Sequence, residues 1–277
     1  MHTKVKARPF IKWVGGKTVL LPKILPRLPE KIGTYFEPFL GAGAVFFALA
    51  AEGRFKRAVV GDANEELMET YASLLVEPDK VISILSKHVY EEGHYYAARA
   101  SRPRSSADRA ARMIYLNRTG FNGLYRVNRK GEFNVPFGRY TNPTICNEEN
   151  LRAVSQTIRS CGSFRGKAGD FRLTVKKARK GNVVYMDPPY VPVSKTSNFT
   201  AYAKGGFDEA QQVRLRDCFR QLDDRGVHVL LSNSDTPFVR RLYEGFRISM
   251  VKAPRRINSK GGKRGDVSEL LISGGNA

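Results

Sequence analysis

Apolar residues along this chain fall into two kinds of segment, short continuous runs and longer stretches with helical spacing. The short runs end at glycine, proline or acidic residues, as buried strands do. Between residues 207 and 225, apolar side chains recur on a charged background and Gly226 follows, which predicts an amphipathic helix. Strands separated by helices predict an α/β fold with a mostly parallel, doubly wound sheet. The predicted strands are 35–39, 57–61, 183–186, 227–231 and a closing pair, 246–251 and 269–273.

The stretch from residue 64 to 163 interrupts this alternation. It begins with helical periodicity, clearest at residues 108–117, and then becomes the glycine- and arginine-rich run FNGLYRVNRKGEFNVPFGRY. Such a run between turn signals is typical of a β-hairpin. We therefore predict two domains, a main one formed by residues 1–63 and 164–277 and an inserted, mostly helical one at 64–163.

Net charge narrows the class of partner. Lys and Arg total 47 and Asp and Glu total 26 in the 277 residues, a formal net charge of +21. This excess favours a polyanion, because each neutralised phosphate releases a counterion, although a merely basic soluble protein has the same composition. A membrane surface is disfavoured, since no basic amphipathic helix with a strong apolar face stands out.

Targeting and metal signals are also weak. No apolar run approaches the roughly 20 residues that span a bilayer, and the basic N-terminus lacks the apolar core of a signal peptide. Cys146, Cys161 and Cys218 are widely spaced and match neither a zinc site nor a disulfide framework. We therefore expect a cytoplasmic protein with no metal and no membrane partner.

A glycine turn follows the first predicted strand. Gly41 and Gly43 precede the apolar run 45–51, where the backbone can approach a ligand and a helix N-terminus favours polar or anionic groups. Asp62 lies 21 residues beyond Gly41, where an acid can accept hydrogen bonds from ribose hydroxyls. Phe46 replaces the third glycine of a dinucleotide fingerprint, which favours an adenosyl ligand without pyrophosphate. Close packing of helix on strand also explains the glycines.

The N-terminal segment contains GGKT at residues 15–18, which resembles the end of a phosphate-binding loop. That motif needs a glycine five residues before Gly16, where Ile11 stands, so we exclude a nucleoside triphosphatase. Two interpretations of the segment stay open. It packs Trp13, the only tryptophan, into the core, or Trp13 and Lys17 contact the ring and carboxylate of a cofactor.

The strand at 183–186 runs directly into DPPY, residues 187–190. Pro188 and Pro189 end the strand because proline has no N–H for a ladder. The exocyclic amine of a nucleobase is a poor nucleophile until its lone pair leaves the conjugated ring. Asp187 can accept one N–H of such an amine, the rigid carbonyl of Pro188 can accept the other, and Tyr190 offers a ring face to a flipped base. The motif therefore predicts methyl transfer to an exocyclic amine.

Several motifs stand in a fixed order along nearly the whole chain: PFIKWVGGK, FEPFLGAGAVFF, the strand-end Asp62, LNRTGFNGLYRVNRKGEFNVPFGRY, YMDPPY, NFTAY and INSKGGKRGDVSELLI. In this order they resemble the Dam-type DNA adenine-N6 methyltransferases. The run at 116–140 is the most specific, because DPPY occurs in many amino-methyltransferases. The resemblance implies a Rossmann-like, S-adenosylmethionine-dependent methyltransferase fold in which residues 64–163 recognise DNA.

The resemblance implies a site for S-adenosylmethionine. Trp13 and Lys17 match the tryptophan and lysine that bind it in the family, the glycine turn lines its methionine part, and Asp62 holds its ribose. Asp170 and Phe171 match a pair beside its adenine. The implied cofactor residues are Trp13, Lys17, Phe39, Gly41, Gly43, Asp62, Asp170, Phe171 and Asp187.

The resemblance also implies recognition of GATC in double-stranded DNA. Lys12 and Arg126 match positions that read guanine, and arginine to guanine is the commonest specific base contact. Leu124 and Pro136 would contact the thymine side, and Asn122 would fill the gap left by the flipped adenine. The implied DNA contacts are Lys12, Arg118, Phe121, Asn122, Leu124, Arg126, Asn128, Pro136 and Tyr140.

Three further features bear on DNA binding. Phe121 stands where a well-known family member has tyrosine, so ring stacking is kept and a hydroxyl contact is lost. Arg129 and Lys130 extend a basic hairpin, which contacts bases or phosphates or is merely solvated. We interpret residues 198–202 as a lid that orders on DNA, although a surface loop is the alternative. The basic run 252–264 is interpreted as phosphate contacts or as a solubilising turn.

These observations predict a site-specific DNA methyltransferase that methylates adenine N6 within GATC by base flipping. Methylation of cytosine N4 or of an RNA base is an alternative, because DPPY chemistry serves any exocyclic amine. A non-catalytic DNA-binding module is another, although the intact Asp187, Lys17, Trp13 and Asp62 argue against it. We expect a bacterial or phage-encoded monomer without an obligate protein partner, acting alone or beside a restriction enzyme.

Overall fold

The computed structural model describes residues 5–161, 165–191, 207–254 and 266–275, and these residues form a seven-stranded sheet. In chain order its strands are β1 (Tyr35–Glu37), β2 (Ala58–Asp62), β3 (Arg165–Ala168), β4 (Val183–Met186), β5 (His228–Ser234), β6 (Arg247–Pro254) and β7 (Asp266–Ser273). Their spatial order is β3-β2-β1-β4-β5-β7-β6, and the first five are parallel. β7 is antiparallel to β5 and β6, which gives the expected closing pair. The predicted α/β fold is confirmed.

Helices connect the parallel strands. In chain order they are α1 (Leu21–Ile24), α2 (Ala44–Ala51), α3 (Glu65–Val76), α4 (Pro78–Leu85), α5 (Glu92–Ala100), α6 (Ser106–Thr119), α7 (Glu148–Ser160), α8 (Phe171–Val175), α9 (Glu209–Asp224) and α10 (Pro237–Leu242). The helix predicted at 207–225 is α9, which Asp208 caps at its N-terminus through Gln211 N–H. Gly226, at φ +72°, follows its end, as the sequence indicated.

The central strands are apolar on both faces because helices cover both sides of the sheet. In β4, Val183 and Tyr185 belong to one buried cluster, whereas Val184 and Met186 belong to the other. This is typical of a parallel sheet in an α/β protein. The strand order reverses between β1 and β4, and open sheets bind ligands at such a point, outside the carboxyl ends of their strands.

Helices α3 to α7 occupy the stretch in which the sequence predicts an inserted domain. The helix expected at 108–117 is α6, and Ser105 caps it by accepting the N–H of Asp108. Buried side chains of α3, α6 and α7 share one apolar cluster with β2 and β4. Packing is thus continuous from the sheet into these helices, and the division into two domains stays a prediction.

The predicted hairpin is a loop with little regular pairing. Antiparallel bridges join Gly120 to Phe137 and Val127 to Phe133, and the chain turns between the members of the second pair. No helix in the described ranges is long and apolar enough to cross a bilayer. The predicted lid at 198–202 lies outside the described residues, and so does most of the basic run at 252–264.

Candidate active site

Three neighbouring strands bring carboxylates to one edge of the sheet. Glu37 is the last residue of β1, Asp62 is the last of β2, and Asp187 directly follows β4. Because β1 lies between β2 and β4 and all three are parallel, their carboxyl ends meet. The predicted catalytic and cofactor residues therefore converge beside the reversal in strand order.

The glycine turn after β1 adopts backbone conformations that favour glycine. Gly41 has φ +50° and Gly43 has φ +72°. A Cβ atom at Gly41 would lie 2.8 Å from Cδ1 of Trp13, so the missing side chain lets the indole ring approach the turn. Tyr71 fixes the turn from below by donating its hydroxyl to the Gly41 carbonyl at 3.1 Å. Trp13 and the turn thus form one surface.

Asp62 ties the glycine turn to β2. Its Oδ2 accepts the N–H of Gly41 and its Oδ1 accepts the N–H of Asn64, both at 2.9 Å. Burial raises the pKa of the Asp62 carboxyl, and these backbone donors oppose the rise. Each carboxylate oxygen has a second lone pair, so Asp62 keeps the capacity to accept from a ligand hydroxyl.

Asp187 faces a buried lysine. Lys17 Nζ lies 2.8 Å from Asp187 Oδ1, and the two side chains are 5% and 18% exposed. Among the described residues, no donor makes a well-aligned hydrogen bond to this oxygen, so we regard the short contact as an ion pair. Burial raises the pKa of Asp187 to about 6, and Lys17 opposes the rise. At neutral pH Asp187 is therefore an anionic acceptor.

Lys17 is itself held in one position. Its Nζ donates to the carbonyl oxygen of Gly15 at 2.6 Å and lies 4.7 Å from the centre of the Tyr190 ring. With Asp187, these contacts surround the ammonium on a short 3-10 turn at the start of α1. The structure therefore brings Lys17 to Asp187 and Tyr190, both of which are far from it in sequence.

Distant elements hold the DPPY segment. Tyr190 donates its hydroxyl to Glu269 Oε2 at 2.6 Å, and Gln212 Nε2 donates to the Pro189 carbonyl at 2.9 Å. Glu269 is on β7 and Gln212 on α9, so both contacts cross long stretches of sequence. The sequence interpretation assigned neither residue a role, and no local motif marks this pairing.

Glu37 is a second acid that the sequence interpretation passed over. It is buried on β1, and its Oε2 accepts the hydroxyl of Tyr35 at 2.8 Å. Burial raises its pKa well above the usual value, and the nearby Asp187 adds to the rise. The glutamate in FEPFLGAGA was the only local signal for it.

Phe39 and Phe171 lie together, and Asp170 directly precedes Phe171. The rings of Phe39 and Phe171 are 5.5 Å apart and nearly parallel. Asp170 accepts from the Arg172 and Arg214 guanidinium groups, each at 2.8 Å. Hydrogen bonding, first to Arg172, lowers the pKa of Asp170 to about 2. The predicted adenine-side pair is thus an aromatic surface beside a permanently charged carboxylate.

Lys12 joins the N-terminal arm to the recognition run. Its Nζ lies 4.1 Å from the centre of the Tyr140 ring, and Tyr140 donates its hydroxyl to the Gly120 carbonyl at 2.8 Å. The buried Asn117 accepts the N–H of Lys12 and donates to its carbonyl, each at 2.7 Å, and also donates to Gly123 O at 2.9 Å. Partial burial and Arg118 lower the pKa of Lys12. Asn117 was not predicted individually.

The predicted base-contacting apolar and amide groups are mostly exposed. Phe121 is 49% exposed, and its N–H donates to the carbonyl of the exposed Pro136 at 2.9 Å. Asn122, also exposed, has φ +54°, which is uncommon outside glycine. Leu124 is half-buried, and Arg118 donates to a loop carbonyl at 2.9 Å. This surface presents a ring and an amide to solvent.

Two predicted DNA contacts are bound to their own loop. Arg126 donates through Nε to Asn134 Oδ1 at 2.7 Å and through Nη2 to its carbonyl at 3.1 Å. Asn128 accepts two backbone N–H groups within its turn and donates to Glu132 Oε2 at 3.0 Å. Arg126 can exchange these bonds for a base, whereas Asn128 builds the turn. Contact of either with DNA stays a prediction.

Comparison with known proteins decides the family. The model of the D12 class N6 adenine-specific DNA methyltransferases matches residues 13–257. The chain belongs to this family. It is 44% identical to a type II methyltransferase of Lactococcus lactis subsp. cremoris, over 98% of this chain and 96% of that protein. It is 43% identical to a type II methyltransferase of Methanocaldococcus jannaschii, over 97% and 99%. It is 38% identical to the DNA adenine methylase of Escherichia coli K12, over 96% and 95%.

Membership confirms that this protein is a DNA methyltransferase specific for adenine N6. It decides against cytosine N4, an RNA base and a non-catalytic module, the alternatives that the sequence had left open. The roles of individual residues, the methyl donor and the target sequence are finer matters, to which the geometry of this D12 methyltransferase contributes.

Proposed function

We propose that this enzyme transfers the methyl group of S-adenosylmethionine to N6 of an adenine flipped out of double-stranded DNA, within GATC. The observation that carries the proposal is the environment of Asp187. A largely buried carboxylate with a pKa of about 6 pairs with Lys17, whose ammonium also lies over the Tyr190 ring, at the sheet edge where the glycine turn is found.

The residues at this edge suit S-adenosylmethionine. Bound there, it would supply an electrophilic methyl group on a positively charged sulfonium. Trp13 and the turn at Gly41 would hold its methionine part, and Lys17 would contact its carboxylate. Asp62 would accept from the ribose hydroxyls with the lone pairs that its backbone donors leave. Phe39 and the pair at 170–171 would border its adenine.

Asp187 and Pro188 act on the nucleophile. Each accepts one N–H of the adenine amine, so the amine pyramidalises and its lone pair turns toward the methyl group. The N6–carbon bond forms as the sulfur–carbon bond breaks, and N6 loses one proton. Asp187 can take that proton, because its pKa of about 6 is close to the working pH.

Tyr190 provides the surface for the flipped base. Its ring follows two prolines with fixed φ angles, and the Pro189 carbonyl is held by Gln212. Stacking on an aromatic ring compensates the base for the stacking lost when it leaves the duplex. The catalytic group of this proposal is therefore Asp187, Pro188, Pro189 and Tyr190.

The recognition run and Lys12 read the target. The net charge of +21 suits a protein that follows a phosphate backbone, and Arg126 has the fork that guanine accepts. The exposed Phe121 and Asn122 fit stacking and filling of the gap that a flipped base leaves. The proposed DNA contacts are Lys12, Arg118, Phe121, Asn122, Leu124, Arg126, Asn128, Pro136 and Tyr140. The enzyme acts as a cytoplasmic monomer on chromosomal DNA.

The test is to incubate the protein with methyl-labelled S-adenosylmethionine and unmethylated genomic DNA, and to map N6-methyladenine by sequence context. The proposal expects label on adenine within GATC. A matched duplex in which one GATC base pair is exchanged should accept little label. Methylation centred on another sequence would refute the target but not the chemistry. Methylation from another donor, or of no base, would refute the chemistry.

A further inference from the structure

Glu269 contacts the catalytic motif although it lies 79 residues beyond Tyr190 in the sequence. It lies on β7, and its Oε2 accepts the Tyr190 hydroxyl at 2.6 Å. At 2.6 Å this bond is at the short end of the range for O–H···O hydrogen bonds. The ring of Tyr190 is therefore tied at its hydroxyl to the sheet.

The strand beside Glu269 holds the backbone next to Tyr190. Glu269 is paired with Ser234 of β5 in the antiparallel ladder. Ser234 donates its hydroxyl to the carbonyl of Val191 at 2.9 Å. One rung of the sheet thus fixes both the chain that leaves Tyr190 and the tip of its ring.

The chain that enters Tyr190 is fixed as well. Gln212 donates to the Pro189 carbonyl at 2.9 Å and accepts from Asn233 Nδ2 at 3.0 Å. Gln212 and Asn233 are both 0% exposed, so their amides have no competing water. With the backbone held on both sides, the ring of Tyr190 can still move by rotation about χ1, and the bond to Glu269 removes that freedom.

We propose that Glu269 is a positioning residue for methyl transfer, which fixes the position of the Tyr190 ring against which the flipped adenine stacks. This inference rests on the proposed role of Tyr190 as the stacking surface. The ring also lies 4.7 Å from Lys17 Nζ, and Lys17 forms the ion pair with Asp187. A displaced ring would therefore disturb both the base and the partner of the catalytic carboxylate.

Loss of this bond affects the rate and leaves affinity almost unchanged. In the part of the chain that the structure describes, the Glu269 side chain accepts from Tyr190 and not from a proposed base-reading residue. A small misplacement of the base, by contrast, lowers the fraction of complexes in reacting geometry. Loss of an interaction that acts only on the reacting geometry lowers kcat and leaves KM nearly constant. A purely structural residue would instead lower the amount of folded enzyme.

The experiment compares Glu269→Leu, which removes the acceptor, with Glu269→Gln, whose amide oxygen still accepts, and with Tyr190→Phe, which removes the donor. Glu269→Leu and Tyr190→Phe should each lower kcat about tenfold, with KM for DNA within about twofold. Glu269→Gln should restore kcat to within about threefold of the unchanged enzyme. Glu244→Leu, at an exposed site, is the matched control and should change nothing.

The double variant Glu269→Leu with Tyr190→Phe decides the mechanism. It should be no slower than either single variant, because both remove one bond. A hundredfold loss in the double variant, or full kcat in Glu269→Leu, would overturn the inference. If Glu269→Leu fails to fold, Tyr190→Phe together with Glu269→Gln still tests it, since full kcat in Tyr190→Phe contradicts it. Tyr190→Ala separates the two proposals: full activity there refutes the stacking role itself.

Discussion

The proposed catalytic segment at 187–190 and the proposed base-reading side chains of the recognition segment at 121–138 are held in different ways. Distant elements fix the catalytic segment, through Lys17, Gln212 and Glu269. In the recognition segment, α5 holds the backbone, since Tyr95 donates its hydroxyl to the Val135 carbonyl at 2.9 Å, but the Arg126 side chain binds its own loop through Asn134. Distant elements thus fix the proposed catalytic side chains, whereas Arg126 would have to exchange internal bonds for DNA.

The proposed role of each segment accounts for this difference. Catalysis gains when acceptors are oriented in advance, because reorganisation then adds nothing to the barrier. Recognition gains when a polar group loses its internal partner only in exchange for the correct base, because the wrong base leaves it unpaired. The first segment should therefore fail in rate when altered, and the second in discrimination.

Replacing Asp187 should break the catalytic side of the comparison most severely. Asp187→Ala removes the anionic acceptor, and we expect methyl transfer to fall by at least about a thousandfold. Binding of the duplex should persist, because the base-reading residues are elsewhere. Labelled methyl transfer and a gel-shift titration measure the two. Asp224→Ala, an exposed acid on α9, should behave like the unchanged enzyme. Lost binding with retained transfer would reverse the assignment.

Replacing Arg126 should have a smaller effect, confined to discrimination. Arg126→Ala removes the guanidinium fork, and we expect a loss of about 1–3 kcal/mol between GATC and a site with the first guanine exchanged. Competition between two labelled duplexes measures this ratio. Arg129→Ala, an exposed arginine in the same hairpin, is the matched control. It should weaken all sequences equally and reduce the salt slope by about 1. An unchanged sequence profile for Arg126→Ala would remove that residue from the reading set.

Lowering the pH should slow methyl transfer by about tenfold per pH unit, through Asp187 of the catalytic segment. The pKa of Asp187 is raised to about 6, so kcat/KM, which reports the free enzyme, should fall tenfold per unit below about pH 6. Asp170 stays ionised there, because its pKa is lowered to about 2. Because the pKa of Asp187 is raised in the folded state, the ionised group disfavours folding, and this cost is relieved as the pH falls from about 6 toward 4. Protonation of Asp187 therefore does not unfold the enzyme, and unfolding does not explain the loss of activity. A flat profile to pH 5 would contradict the assignment.

The sequence located those groups that a local motif marks. The strand-end acids Asp62 and Asp187 and the turn at Gly41 were predicted because short strands, glycines and prolines signal them directly. Glu269 and Asn117 were not assigned roles, because their contacts join residues 79 and 105 positions apart. Pairing between such positions depends on the register of strands and the packing of helices. Neither can be read from local patterns in a single sequence.

In the recognition segment, the sequence indicated a DNA contact for a side chain that the structure shows bonded within its own loop. The resemblance named Asn128 as a DNA contact, yet its side chain builds a turn with Glu132. Sequence gives the residue type at a position, and Asn suits both a base edge and a turn. The conformation of the loop decides how much of the side chain is left for DNA.

Asn122 allows the smallest and most selective change in the recognition segment. Its φ of +54° suits glycine, so Asn122→Gly should shift the free energy of unfolding by no more than about 0.5 kcal/mol. If its amide fills the gap of a flipped adenine, the variant should lose up to about tenfold in affinity for GATC duplexes. Thermal melting and duplex titration separate these effects. Asn142→Gly, at φ +47° on an exposed loop, is the matched control and should leave both unchanged. Equal duplex affinity in both variants would mean that the Asn122 amide does not contribute to DNA binding and that only the backbone conformation matters at this position.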